Sequence, residues 1–206
     1  MLTQYHTHLY FLCQFSEKGS YFGGSPVVDP DVSGRVNLGT MIHIDQDDPG
    51  RGDVRQLLSE HLADMFATSP ADSVHALDHS ALSAPSITFW TAREDGELLG
   101  CGALKLLDSP HGSAKHGEIK SMRTTATARG RGVATLVLRH ILDTARTRDF
   151  ERIYLETGTE DYFAPARRLY VRNGFTECPP FAGYAPDPNS VFMELRLSAS
   201  GWPKLT

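Results

Sequence analysis

The chain has 206 residues, a net charge of −5, and 40% apolar and 22% charged residues; that is ordinary for a globular protein able to bury a core without metal or disulfide, and it excludes wholesale disorder. An acidic total argues against a general nucleic-acid binder, and no run approaches the roughly 18 apolar residues of a membrane span. Three scattered cysteines (Cys13, Cys101, Cys178) are too few for a disulfide framework or a thiolate zinc site, so a reduced, cytoplasmic, single-core protein is expected.

Residues 1–40 carry five charges and six of the nineteen aromatic residues without helical or alternating periodicity. They are expected to be a disordered leader, the alternative being a substrate-gripping extension. Residues 41–197 form the expected domain and 198–206 a tail. Met41–Ile44 reads as a short strand. Asp53–Ala67 reads as an amphipathic helix, with Val54, Leu57, Leu58, Leu62, Met65 and Phe66 on one face. Ala71–Ala84 reads as a weaker helix. Strands over Ser86–Thr91 and Leu98–Leu107 flank Asp95-Gly96, a hairpin turn signal. His111–Gly117 is expected as a polar loop and Glu118–Thr125 as a strand. A helix over Val133–Arg148, a strand over Arg152–Thr157 and a helix over Pro165–Arg172 follow, the last stopped by Asn173-Gly174. Strands at Phe175–Cys178 and Ser190–Leu197 close the sheet. The order predicts an α+β fold: a mixed, mostly antiparallel sheet flanked by helices, with a parallel pair where the central β-α-β crossover returns.

The stretch with most chemical information is Arg129-Gly130-Arg131-Gly132-Val133-Ala134, between a strand and a helix. Two glycines allow a tight turn, so the first N–H groups of the helix converge at its positive dipole end, an anion site suited to a pyrophosphate. Residues 115–152 hold nine Lys/Arg against four Asp/Glu, a basic focus in an acidic protein that fits one polyanionic ligand. No Gly-Lys-Ser/Thr follows, which excludes a Walker loop. A dinucleotide site is an alternative, since Gly130-x-Gly132-x-x-Thr135 nearly fits G-x-G-x-x-G and Glu156 ends the next strand.

Arg129-x-x-Gly132-x-Ala134 resembles the acyl-CoA pyrophosphate loop of the GNAT superfamily of N-acetyltransferases. Glu118-Ile-Lys-Ser-Met-Arg-Thr-Thr125 is similar to that family's preceding strand, and Ala166-Arg-Arg-Leu-Tyr170-Val-Arg-Asn-Gly174-Phe175 to its later helix and turn. Leu155–Gly158, Phe163–Pro165 and Pro186–Phe192 resemble a bacterial subgroup of uncharacterised members. The resemblance implies a bulged strand splayed from its parallel neighbour, with pantetheine in the gap. Backbone groups of Met122, Arg123 and Thr124 would pair with it, and an N–H near Met122 would polarise the thioester carbonyl. N–H groups of Gly130, Arg131, Gly132, Val133 and Ala134 would hold the pyrophosphate, with the Arg129 and Arg131 side chains adding charge. Many members carry an Asn near the start of the late helix, where this chain has Phe163 or Ala164.

The implied reaction moves an acetyl group from acetyl-CoA to a primary amine by direct attack in a ternary complex. Tyr170 matches the tyrosine that protonates the departing thiolate; the bland reading is a packed ring. Glu118, eleven residues before Arg129, is the candidate base; the bland reading is an exposed strand-edge carboxylate. Glu156 is second choice, and water a third. Rival functions are a non-catalytic acyl-CoA-binding domain and a dinucleotide-binding enzyme. No metal is expected, since His75 and His79 at i, i+4 lack a third ligand, and Cys101 reads as a buried inert thiol. His116 is expected to be a solvated loop residue. The partner is a small-molecule or protein amine, with no nucleic acid or membrane, and a homodimer is left open. Residues 45–97 hold eleven Asp/Glu against three Lys/Arg, which leans toward a cationic acceptor.

Overall fold

Apolar side chains on both faces of one seven-stranded sheet build the fold. The computed structural model of the chain describes residues 41–68, 70, 79–107 and 114–197. The expected leader, the tail, and His75 and His111 lie outside the described residues. The elements are β1 (His43–Gln46), α1 (Gly52–Thr68), β2 (Ile87–Glu94), β3 (Glu97–Leu107), β4 (Lys115–Thr124), α2 (Val133–Thr147), β5 (Phe150–Gly158), α3 (Ala164–Arg172), β6 (Thr176–Glu177) and β7 (Ser190–Arg196). The sheet runs β1-β2-β3-β4-β5-β7-β6. Every neighbouring pair is antiparallel except β4 and β5. This is the expected α+β architecture. It removes the dinucleotide alternative, because a doubly wound sheet needs several successive parallel strands.

Alternation along the strands sorts the core into two layers. Trp90, Ala92, Leu104, Ile119, Ile153, Leu155 and Met193 pack with Val133, Val137, Leu138, Ile141, Leu142 and Ala145 of α2, and with Tyr170 of α3. The spacing of the α2 residues makes one helical stripe. On the opposite face, Val54, Leu57 and Leu58 of α1 pack on Phe89, Cys101 and Ala103. Asp95 and Gly96 both take positive φ (51° and 84°). They close the β2–β3 hairpin opposite the paired Glu94 and Glu97, as Asp-Gly turns do. Gly174 (φ 89°) ends α3, its N–H bonding to the Val171 carbonyl at 3.0 Å.

Three expectations are corrected. Lys115–Gly117 belong to β4 rather than to a polar loop. Their polarity hides a pairing set by tertiary contact, since a Cβ on Gly117 would lie 2.8 Å from Leu104 and 2.9 Å from Phe150. His116 is accordingly not a solvated loop residue; its ring meets Tyr154 edge-on, centroids 5.9 Å apart. The first strand is shifted to His43–Gln46, in register with Trp90–Arg93 of β2. Of the weaker helix expected over Ala71–Ala84, the described end is one 3-10 turn at Ala81–Ser83, and 71–78 lie outside the described residues. Among the described residues no helix is long and apolar enough to cross a membrane.

The α2–sheet contact is closest at Gly102, where a Cβ would lie 2.6 Å from Met122 Sδ and 2.9 Å from Val137 Cγ1. Gly102→Ala is expected to lower stability by about 1–3 kcal/mol through overpacking. Gly183→Ala, with open space at its Cβ, should stay within about 0.5 kcal/mol. Urea unfolding of the two variants beside the parent checks both.

Candidate functional site

The two parallel strands part company in mid-course. β4 and β5 pair from Lys115–Phe150 to Glu118–Tyr154 and no further. Beyond that point β5 pairs only with β7, through Gly158–Ser190, while β4 continues to Thr124 on β3. A bulge accompanies the parting: Ser121 has φ 53°, and the register slips between Cys101–Arg123 and Ala103–Lys120. Among the described residues, the facing edge of β4 from Ile119 to Thr124 therefore has no strand partner. Met122, Arg123 and Thr124 lie on it, half-buried.

Past that edge comes the glycine loop. Gly130 and Gly132 have φ of 78° and 80° and open space where a Cβ would be, so backbone conformation rather than crowding selects glycine there. Gly132 is the N-cap of α2 without a side-chain cap, which leaves the first helical N–H groups facing outward beside exposed Arg129. Arg131 differs from the rest of the loop. Its N–H bonds to the Ala128 carbonyl at 3.3 Å, and its guanidinium lies 2.6 Å from Glu94 Oε2.

Glu118, the last β4 residue paired to β5, is not an exposed edge carboxylate; it is 2% exposed. Its Oε1 accepts hydrogen bonds from Lys120 Nζ at 3.0 Å and from Tyr184 Oη at 2.6 Å, and Lys120 also reaches Tyr184 at 2.8 Å. Burial, then the charge and hydrogen bond of Glu118, then the charge of Glu156, push the Tyr184 phenol far above its ordinary value. Tyr184 sits against Phe181 and Phe192, and Phe181 stacks on Tyr154. Glu156, opposite Phe192 in β7, accepts from Ser190 Oγ at 2.7 Å. Both candidate bases thus flank one tyrosine, which the sequence reading missed. Its only signal was the pair of aromatic residues Phe181 and Tyr184 in the loop between β6 and β7.

A second cluster joins α1 to both sides of the gap. Arg123 donates to Tyr162 Oη at 2.8 Å and to Asp64 Oδ2 at 2.5 Å, and Tyr162 donates to Asp64 at 2.8 Å. Tyr162 and Arg123 hold the Asp64 carboxyl below its usual value. On the α2 face, Tyr170 is buried, edge-on to Phe175 at 5.7 Å, and burial raises its phenol well above the ordinary value. Burial pushes the Cys101 thiol up to about 12, a poor nucleophile. Among the described residues no three His, Cys, Asp or Glu side chains are grouped to hold a metal.

Next to Arg123, burial first and the guanidinium second push His61 down to about 4 from 6.5, against the opposing charge of Asp64. The unfolded imidazole takes its proton near the ordinary value and the folded one only near the lowered value. The unfolded state therefore binds more protons between them, and stability present above pH 6.5 falls as pH drops toward 4. His61→Gln should reduce that acid loss by up to about 3 kcal/mol. Urea titrations of parent and variant across this range measure it; parallel curves would show a solvated imidazole.

The Acetyltransferase (GNAT) family model matches residues 54–175, which span α1 through α3. The chain is 51% identical over 156 residues (76% of this chain, 100% of the relative) to the Uncharacterized N-acetyltransferase YsnE of Bacillus subtilis. It is 38% identical over 159 residues (76% of this chain, 98% of the relative) to the IAA acetyltransferase of Azospirillum brasilense. A crystal structure described as an acyl-CoA N-acyltransferase of Klebsiella pneumoniae superposes with a TM-score of 0.61 at 30% identity, covering 77% of this chain and 99% of the other. The parted strands, the glycine loop and these relatives agree: the chain belongs to the acetyltransferase (GNAT) family.

Proposed function

We propose that the protein moves an acetyl group from acetyl-CoA to a primary amine by direct attack, with both substrates bound together. The observation that carries this reading is the parting of β4 from β5 after Glu118–Tyr154, leading to an uncapped helix N-terminus at Gly132. An extended pantetheine arm would lie along Met122, Arg123 and Thr124 as a strand partner for the open edge. The N–H groups of Gly130, Gly132, Val133 and Ala134 would face the pyrophosphate, with Arg129 beside it. Arg131 joins them by leaving Glu94, and until then ties the loop to the β2–β3 hairpin.

Each chemical role has a residue. The N–H of Met122, just past the bulge, is the donor to the thioester carbonyl as charge develops on its oxygen. Tyr170 stays protonated because burial raises its phenol, so it remains a donor to the departing sulfur. Glu118 receives the amine proton, directly or through water, from its position between Lys120 and Tyr184. Glu156 is the second carboxylate whose charge acts on the same tyrosine. With Cys101 buried and its thiol raised, an acyl-cysteine intermediate is disfavoured. Free thiols at Cys101 and Cys178 fit a reducing compartment, the cytoplasm.

Free-CoA release over a panel of amines tests the reading, and a protein that binds acetyl-CoA without amine-dependent release would be a sensor. Acetyl-CoA should raise the melting temperature by mass action, and Gly132→Asp should abolish that rise. Tyr170→Phe should lower kcat by about 10²-fold with little change in acetyl-CoA KM. Glu118→Gln should also lower kcat, by less as pH rises and the amine deprotonates unaided. Because that variant leaves Lys120 buried without its anion, Glu118→Gln/Lys120→Met is the companion that controls for folding. Equal pH rescue of Tyr170→Phe and Glu118→Gln would make Tyr170 structural, and an unaffected Glu118→Gln would move the base to Glu156 or water.

A further inference from the structure

The bulge at Ser121 has an effect on side chains as well as on backbone. One extra residue in β4 returns the alternation, so Lys120 opposite Ala103 and Arg123 opposite Cys101 share a face. Ala103 and Cys101 pack under α1, so Glu118, Lys120 and Arg123 all line the α1 side of the gap. Arg123 stands at the end nearest the mouth, where Tyr162 from the turn after β5 and Asp64 from α1 meet it.

Four buried side-chain polar atoms have no hydrogen-bond partner among the described residues: His61 Nδ1, Ser121 Oγ, Arg123 Nε and Glu160 Oε2. All four lie on the elements around this mouth, namely α1, the β4 bulge and the turn after β5. Buried polar groups are normally paired, and such a concentration of unpaired ones calls for an explanation. A polar ligand arriving at the mouth supplies one. The two members of the ion pair also differ in freedom. The Arg123 side chain is 12% exposed and lies within the site, whereas the Asp64 side chain is 40% exposed on the outside of a helix. One carboxylate can swing away and another take its place with the guanidinium unmoved. A guanidinium fork with an unused donor is suited to that exchange.

We propose that Arg123 binds a carboxylate carried by the amine acceptor, making amino acids the substrate class, and that Asp64 occupies the guanidinium until the acceptor arrives. This rests on the acetyl-transfer reading above and adds the acceptor to it. Part of the acidic excess of residues 45–97 is already engaged, since Asp47, Asp53, Asp64 and Glu94 are each paired to an arginine. A protein amine, which lacks a carboxylate beside it, is the outcome the proposal denies.

The test compares small, aliphatic and aromatic L-amino acids with their carboxamides, by CoA release and by calorimetric titration into the CoA-loaded full chain. An amide's amine is the more easily deprotonated, so intrinsic reactivity favours the amides. The expected result is a kcat/KM at least tenfold higher for the acids, carried by KM. Arg123→Gln should bring the ratio close to one, and Asp64→Asn should lower KM for the acids two- to fivefold and so widen the ratio of acids to amides. Should Arg123→Gln fail to fold, Arg123→Lys keeps the charge without the fork and should raise KM more for the acids than for the amides. Amides used as well as acids by the parent, or a preference that survives loss of the Arg123 fork, would overturn the proposal. Absence of CoA release with every amine would overturn acetyl transfer instead. The titrations then decide this inference alone: tighter binding of acids than amides, lost in the Arg123 variant, upholds it, and equal binding refutes it.

Discussion

One discontinuity in the hydrogen-bond ladder organises this molecule: β4 and β5 stay together for four residue pairs and then separate. A parallel pair inside a sheet is ordinarily continuous, because each unpaired backbone group left in a buried strand lowers stability. Here the break is enforced from the β3 side. The left-handed Ser121 adds a residue to β4 and twists it away, as bulges do. Meanwhile β5 is held along its other edge by seven residue pairs to β7. Neither strand can follow the other without giving up an intact antiparallel ladder. The gap is a property of the fold, present before any ligand enters it.

That gap lies between two electrostatic arrangements of opposite character. On the inner side, Glu118 and Lys120 are both nearly buried, a pair whose attraction must offset the desolvation of two ions. The Tyr184 hydroxyl bonds to both, which fixes the geometry of the pair. On the outer side, Arg123 is held by one half-exposed carboxylate and one hydroxyl. Water screens this pair more and its anion can rotate, so it contributes less to stability. A rigid inner pair suits proton chemistry that depends on position, and a loose outer pair suits recognition by exchange.

Much of this was legible in the sequence. Alternation and 3.6-residue periodicity located every described strand and helix to within a few residues, because each element buries one face and hydrophobic spacing reports that face. Asp95-Gly96, Gly132 and Gly174 could be read because positive φ restricts the residue choice, and all three adopt it. What escaped depends on distant neighbours. Lys115–Gly117 read as a loop because its polarity is local while its pairing to Phe150–Ile153 is not. The burial of Glu118 escaped because its partners are Lys120, two positions along the strand, and Tyr184, sixty-six residues away. The i, i+2 spacing of Glu118 and Lys120 places both on one strand face, and that was the available clue. The bulge at Ser121 had none, since serine is not a residue that announces a left-handed conformation.

The same distinction explains why the cofactor end of the site was easier to read than the acceptor end. A pyrophosphate held by backbone N–H groups, as proposed, demands a local conformation that only a few residues adopt, so glycines at 130 and 132 mark the proposed site in the chain itself. The proposed acceptor end is built instead from side chains brought together from α1, β4, the turn after β5 and the loop before β7. Asp64, Arg123, Tyr162 and Tyr184 are each unremarkable where they stand in the sequence. Their meaning arises from the bulge, which puts Arg123 on the face of Glu118, and from the gap, which leaves that face open. A few side-chain substitutions on α1, β4 and the two loops would therefore change the acceptor end while leaving the glycine loop and the parted strands as they are.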